Sequence, residues 1–87
     1  MYIPNRMATV MEELLKGIAM GLVDDPAGVS VTVDPVNEEG VTVYHLNVSE
    51  GDIGRVIGKQ GHIAKAIRVV MRSAANRRNE KVQVEIG

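Results

Sequence analysis

The chain has 87 residues, 45% of them hydrophobic, with two tyrosines in place of any Phe or Trp, no cysteine and a formal net charge of −1. That length fits one small domain whose core must come from Val, Ile, Leu, Met and Ala. The missing cysteine excludes disulfides, thiolate zinc sites and a cysteine nucleophile together. No apolar stretch approaches the roughly 20 residues of a membrane helix. The N-terminus also lacks the basic-then-apolar order of a secretion signal, so a cytoplasmic protein with no membrane partner is expected.

Residues 1–6 read as a flexible leader and residues 7–87 as the domain. Met7, Val10, Met11, Leu14, Leu15, Ile18, Leu22 and Val23 recur at spacings of three and four, which predicts an amphipathic helix over 7–23. Either Asn5 caps it or Thr9 and Glu12 form a capping box. Asp24-Asp25-Pro26 ends it, because proline disfavours helix in the residue before it. Gly17 and Gly21 weaken this helix by about 1 kcal/mol each and are read as places of close packing against a neighbour.

Val29, Val31 and Val33 alternate with Ser30 and Thr32, the pattern of a half-buried strand. A turn follows over 34–40, and the β-branched run Val41–Val48 predicts a second strand. Ser49 and Asp52 make an N-cap signal for a short helix over about 50–57. A further helix is expected over 62–76, with Ile63, Ile67, Val70, Met71 and Ala74 as its buried stripe. Val82, Val84 and Ile86, alternating with polar residues, close the chain as a strand. The order α-β-β-α-α-β gives an α+β domain, a three-stranded sheet with three helices packed on one face.

Between the last two helices lies Gly58-Lys59-Gln60-Gly61. A glycine at each end lets the chain bend tightly and removes any Cβ that would hold a ligand away. Free N–H groups at the start of the next helix attract phosphate, and Lys59 adds positive charge. The turn therefore suits a clamp on a nucleic-acid backbone; the bland alternative is a plain helix–helix corner. It is not a Walker loop, since Ile53 stands where the first glycine belongs and Gln60 replaces the hydroxyl residue. A dinucleotide fingerprint is excluded by spacing.

Residues 1–54 hold two basic and nine acidic groups, net −7, whereas residues 55–87 hold eight basic and two acidic groups, net +6. So lopsided a split suggests one basic face, although two solvated faces of different sign would read the same way. Arg55, Lys59, Lys65, Arg68 and Arg72 are the candidate phosphate contacts, with Arg77 and Arg78 less directly placed. Ile57 and Ile63 flank the turn and are ordinary core residues unless they reach the lip of a groove, where they would support bases by apolar contact. His62 opens the helix beyond the turn. Two histidines without a third ligand make no metal site. Ser49 and Ser73 lack a base partner, so no catalytic residue, cofactor or small-molecule substrate is expected.

Val56-Ile57-Gly58-Lys59-Gln60-Gly61, set within strand-helix-turn-helix-strand, resembles the K homology (KH) domain. The extra helix and strand at 7–33 resemble its type II, bacterial arrangement. Gly54-Arg55-Val56-Ile57-Gly58-Lys59-Gln60-Gly61 followed by Ile63-Ala64-Lys65-Ala66-Ile67-Arg68 is similar to the small single-domain KhpA family over about 80 residues. This resemblance implies single-stranded RNA binding without catalysis. The Gly58–Gly61 turn would grip phosphates, the helices around it (with Gly54) would form one wall of a groove, and a strand the other. It also implies RNA chaperone activity, a homodimer or a KhpB-like partner, and a link to cell elongation and envelope regulation. Relatives often carry arginine where this chain has His62, which implies a weaker grip on phosphate here. The acidic first half leaves a second function open, a module that docks a partner protein.

Overall fold

The structure, a computed structural model, describes the backbone of residues 6–87 and the side chains from Val10 onward. Met1–Asn5 lie outside the described residues, and with them the candidate cap Asn5 and all of the expected leader but Arg6, which opens α1 (Arg6–Met20). Thr9 is thus inside the helix, and a Thr9–Glu12 box does not start it. α1 also ends three residues before Val23. The Gly21 amide divides between the Gly17 and Ile18 carbonyls at 3.2 Å each, and Leu22 and Val23 both donate to Ala19, a tightened last turn that engages three of the helix's four terminal carbonyls. The close packing expected at the two glycines is not there. A Cβ on Gly17 would meet nothing within 4 Å, and one on Gly21 only backbone carbonyls at ordinary contact distance.

β1 (Ser30–Val33) pairs antiparallel with β2 (Val41–Asn47), with Thr32 opposite His45. β3 (Lys81–Ile86) pairs parallel with β2 on its other side, with Val84 opposite Tyr44. A parallel pair cannot be joined by a tight hairpin. The connection from β2 to β3 is therefore a crossover, and it contains a single 3-10 turn (Glu50–Asp52), α2 (Ile53–Ile57), the glycine turn and α3 (His62–Asn76). The parallel pairing thus requires the long connection that carries the glycine turn.

α1 and α3 cover one face of the sheet, and α2 packs chiefly on α3. The core joins Met11, Leu15 and Ala19 of α1 to Ile67, Met71 and Ala75 of α3 over Val29, Tyr44, Leu46 and Val84. Tyr44 is buried, and desolvation, reinforced by the charges of Glu80 and Glu12, raises its phenol above the ordinary range. The buried stripe of α3 is Ala64, Ile67, Met71 and Ala75, which corrects the expected one. Val70 is 45% exposed, while Ile63 and Ala74 are only partly covered. Two alanines replace larger residues in the stripe because a small side chain admits close approach of neighbouring elements, something a search for bulky residues overlooks.

Asp52 is the buried charged side chain of the described core. Its carboxylate accepts the backbone N–H groups of Asp24 and Asp25 at 3.1 Å each, which satisfies a charge that would otherwise be costly to bury. Ser49 does not cap the following helix as expected, since its hydroxyl donates to the Asp25 carboxylate instead. These bonds tie the α1–β1 connection to the start of α2, and so to the element that leads into the glycine turn.

Candidate nucleic-acid interface

The turn is built from left-handed backbone. Gly58 has φ 75° and ψ 173°, Gln60 φ 56° and ψ 22°, and Gly61 φ 75° and ψ 14°. Gly58 is required twice over: its φ disfavours any L side chain, and a Cβ there would lie 2.5 Å from Cγ1 of Ile63. Gln60 holds a left-handed conformation that costs a non-glycine residue about 1 kcal/mol. Such local strain is typical of functional sites.

The hydrogen bonds of the turn decide what it can bind. Gly58 N–H donates to the Gly54 carbonyl at 2.9 Å and Gly61 N–H to the Gly58 carbonyl at 3.1 Å. His62 N–H turns back to the Lys59 carbonyl. The amides of Gly61 and His62 are therefore occupied. Among the described residues the N–H groups of Lys59 and Gln60 have no partner. Successive amides at a right-handed residue followed by a left-handed one form a concave anion-binding nest. Lys59 adds an exposed ammonium to it.

α3 continues the positive charge from the turn. Lys65, Arg68 and Arg72 share one helix face by their spacing. Lys65 and Arg72 are exposed. Arg68 is partly buried and anchored, with its Nε donating to the Val84 carbonyl at 3.3 Å; its terminal nitrogens have no other polar partner among the described residues. Between this face and β3 runs a groove of about 470 Å³ lined by Val41, Arg68, Arg72, Val82, Gln83, Val84 and Glu85.

Other sequence candidates fall elsewhere. The Arg55 guanidinium pairs with Asp24 at 2.7 Å and lies 3.4 Å from Asp52, so it is engaged within the protein. Ile57 is 37% exposed, whereas Ile63 lies under Gly58. Gly54 supplies the carbonyl for Gly58, and a Cβ on it would meet nothing within 4 Å. His62 lines a separate hollow of about 490 Å³ between α1 and α3, with Leu14, Ile18, Leu22, Ile63, Ala66, Ile67 and Val70. That hollow makes an apolar surface on the side of α3 away from Arg68 and Arg72, while Val69, which is 58% exposed, stands between it and the basic face, four residues from Lys65 and three from Arg72. Sequence reasoning missed the hollow, and it named no residue for the strand wall of the basic groove. The adjacent pair Val69-Val70 was the available signal for the first, since two neighbouring helix positions cannot both face one core.

Comparison with known proteins agrees with this geometry. The family model described as "KhpA/KhpB, KH domain" matches residues 12–86. The RNA-binding protein KhpA of Clostridium perfringens is 51% identical over 76 residues, covering 87% of this chain and 99% of that protein. The protein of the same name from Listeria monocytogenes is 45% identical over 76 residues, covering 87% and 97%. That of Treponema pallidum is 41% identical over 80 residues, covering 92% and 98%. Among solved structures, Aquifex aeolicus Era bound to GDP·AlF4− superposes with a TM-score of 0.62 at 20% identity, over 98% of this chain and 31% of that one. Era in complex with MgGDPNP and nucleotides 1506–1542 of 16S ribosomal RNA gives 0.64 at 20% identity, over 97% and 30%. The likeness to Era extends to the fold. With matches of this identity and coverage, the chain belongs to the KhpA family of KH-domain proteins, which is not a family of enzymes.

Proposed function

We propose that this protein binds single-stranded RNA and acts as an RNA chaperone in the cytoplasm. In this reading the chain works as a homodimer or with a KhpB-like partner, in the control of cell elongation and the envelope. One observation carries the binding: two unpartnered amides, on Lys59 and Gln60, sit between left-handed glycines at the start of a helix whose basic face walls a groove. Relatives over most of the chain are named RNA-binding proteins. Phosphates rest on the turn and on Lys65, Arg68 and Arg72, and the groove takes about four unpaired nucleotides. Among the described residues the one tyrosine, Tyr44, is buried, so its ring does not stack on a base, a contact worth about 1–3 kcal/mol. A hold of that kind is modest and quickly released, as a chaperone requires.

The test is Lys59→Asp with Gln60→Asp, which sets two carboxylates where phosphates would lie. Binding of unstructured oligoribonucleotides should fall about a hundredfold while the folded spectrum is kept, and the remaining affinity should lose much of its salt dependence. Unchanged affinity in the folded double variant sinks the proposal. The pairing part rests on the apolar hollow around Ile63, Ala66 and Val70, which leaves the basic groove free when covered. Val70→Glu should shift sedimentation towards the monomer; an unchanged oligomeric state refutes that assignment. The same surface favours a second reading, a module whose main ligand is a partner protein. Partners recovered from lysate in spite of RNase treatment would support it.

A further inference from the structure

The two edges of the sheet are not alike. On β3 the Gly87 N–H donates to the Leu46 carbonyl at 3.0 Å, so alternation turns the backbone of Val84 away from β2, and its carbonyl takes the Arg68 Nε donor. On β1 the Asp34 N–H donates to the Val43 carbonyl at 2.9 Å. Asp34, Thr32 and Ser30 therefore turn their backbone groups towards β2, and Val31 and Val33 turn theirs outward. Among the described residues these two outward N–H groups and two outward carbonyls have no partner. An unpaired strand edge is a template for another extended chain.

Beside that edge, between α1 and β1, lies a groove of about 270 Å³ lined by Glu12, Glu13, Lys16, Val29, Ser30 and Val31. Among the described residues Lys16 pairs with neither glutamate, so two open carboxylates stand against one ammonium. Val31 packs on the face of the sheet that carries the core. In a strand added to β1, the residue opposite Val31 projects to that same face, and so into the groove. A lysine or arginine there lays its stem along Val29 and Val31 and brings its charge to Glu12 and Glu13. A second copy of β1 holds no cation in Ser30–Val33 and carries its own Glu12 and Glu13, so like charges oppose self-pairing.

We propose that the β1 edge takes up an extended basic segment of another protein as a further strand, with a lysine or arginine held by Glu12 and Glu13. This edge lies across β2 from β3 and the basic groove, and on a different side of α1 from the hollow against α3. It stands independently of the RNA reading.

The probe is a short labelled peptide of alternating threonine and lysine, and its control carries glutamate in place of lysine. Fluorescence anisotropy at low salt should show the lysine peptide binding at least about tenfold tighter. Methylating the amide nitrogens of that peptide keeps its charge but removes its backbone donors, and should weaken binding about tenfold. Equal binding of the methylated peptide makes the attraction one of charge alone and overturns the inference. Glu12→Gln with Glu13→Gln, checked for folding by thermal melting, should lower affinity about fivefold; unchanged affinity also overturns it. Val31→Pro removes an outward donor and sets a ring before the incoming strand, while the bonds from Ser30 and Thr32 to β2 remain. It should abolish peptide binding and leave affinity for oligoribonucleotides within about twofold. A parent protein that sediments as a dimer, and as a monomer in Val31→Pro, assigns the edge to a second copy and overturns the inference. If Val31→Pro does not fold, hydrogen exchange of the unaltered protein decides. Saturating peptide should slow exchange at the Val31 and Val33 amides about tenfold, and slowing confined to α3 refutes the site.

Discussion

Two turns in this molecule solve the same problem in opposite ways. The β1–β2 turn closes on itself: Asn37 N–H donates to the Val41 carbonyl, Gly40 N–H to the Asn37 carbonyl, and the Asn37 side-chain oxygen accepts from the amides of Glu39 at 2.9 Å and Val41 at 3.0 Å. The α2–α3 turn also relies on left-handed glycine, yet it leaves the Lys59 and Gln60 amides open. The β1–β2 turn spends four donors internally, and its open Val36 and Glu38 amides stand among Asp34, Glu38 and Glu39 with no cation beside them in sequence, so it is a connector. A turn that withholds donors next to a lysine is ready for an anion. Being a glycine-bearing reversal does not by itself make a site; where the amides end does.

Substitutions can break this contrast. Gly58→Ala should have the largest effect, because it combines a forbidden φ with a collision against Ile63. About 1–2 kcal/mol for the backbone and a similar amount for overpacking sum to about 3 kcal/mol, a fall in Tm of more than about 10 °C for a chain of this size. A melting temperature within about 2 °C of the parent would mean that the turn is not held as described. Asn37→Ala should cost about 1–2 kcal/mol by freeing two amides, with RNA affinity of the folded protein changed less than about twofold. A larger drop in RNA affinity would mean that this turn is part of the binding surface and that the contrast is false.

The same contrast explains what could be read from the sequence. The bounds of α3 at 62–76 were legible because apolar and basic residues recur there with one period, and the turn was legible because two glycines bracket a lysine. The fold class followed from the order of elements. What covers each apolar position was not legible. Ile63, Val70 and Ala74 fit a helical stripe as well as Ala64, Met71 and Ala75 do, and only the packing of α1, α2 and the sheet decides between them. Arg55 was read as a phosphate contact because it stands beside the glycine turn. Asp52 is only three residues away, but Asp24 comes beside Arg55 only on folding, and a pairing between distant segments leaves no periodicity. Which amides of the turn stay open was not legible for a similar reason, since hydrogen bonds inside the turn consume those of Gly58, Gly61 and His62.

Gly61→Ala sharpens the contrast further. The φ of 75° carries the usual penalty of about 1 kcal/mol, but a Cβ there meets nothing within 4 Å. That open space lies where a phosphate would approach the turn. Stability should fall by about 1 kcal/mol while RNA affinity falls about tenfold, as measured by melting and by anisotropy on the same sample. Equal and small losses in both would mean that nothing lies against Gly61.

Gln60→Gly should have the smallest effect, and it isolates the amide from the side chain. The left-handed conformation of Gln60 costs about 1 kcal/mol, and glycine removes that cost while adding freedom to the unfolded chain. The net gain in stability should be about 0.5 kcal/mol. The free N–H stays where it was, so RNA affinity should hold within about twofold. A clear loss of affinity with the stability gain intact would assign the binding at this position to the Gln60 side chain, and would leave the unpartnered backbone of the turn with Lys59 alone.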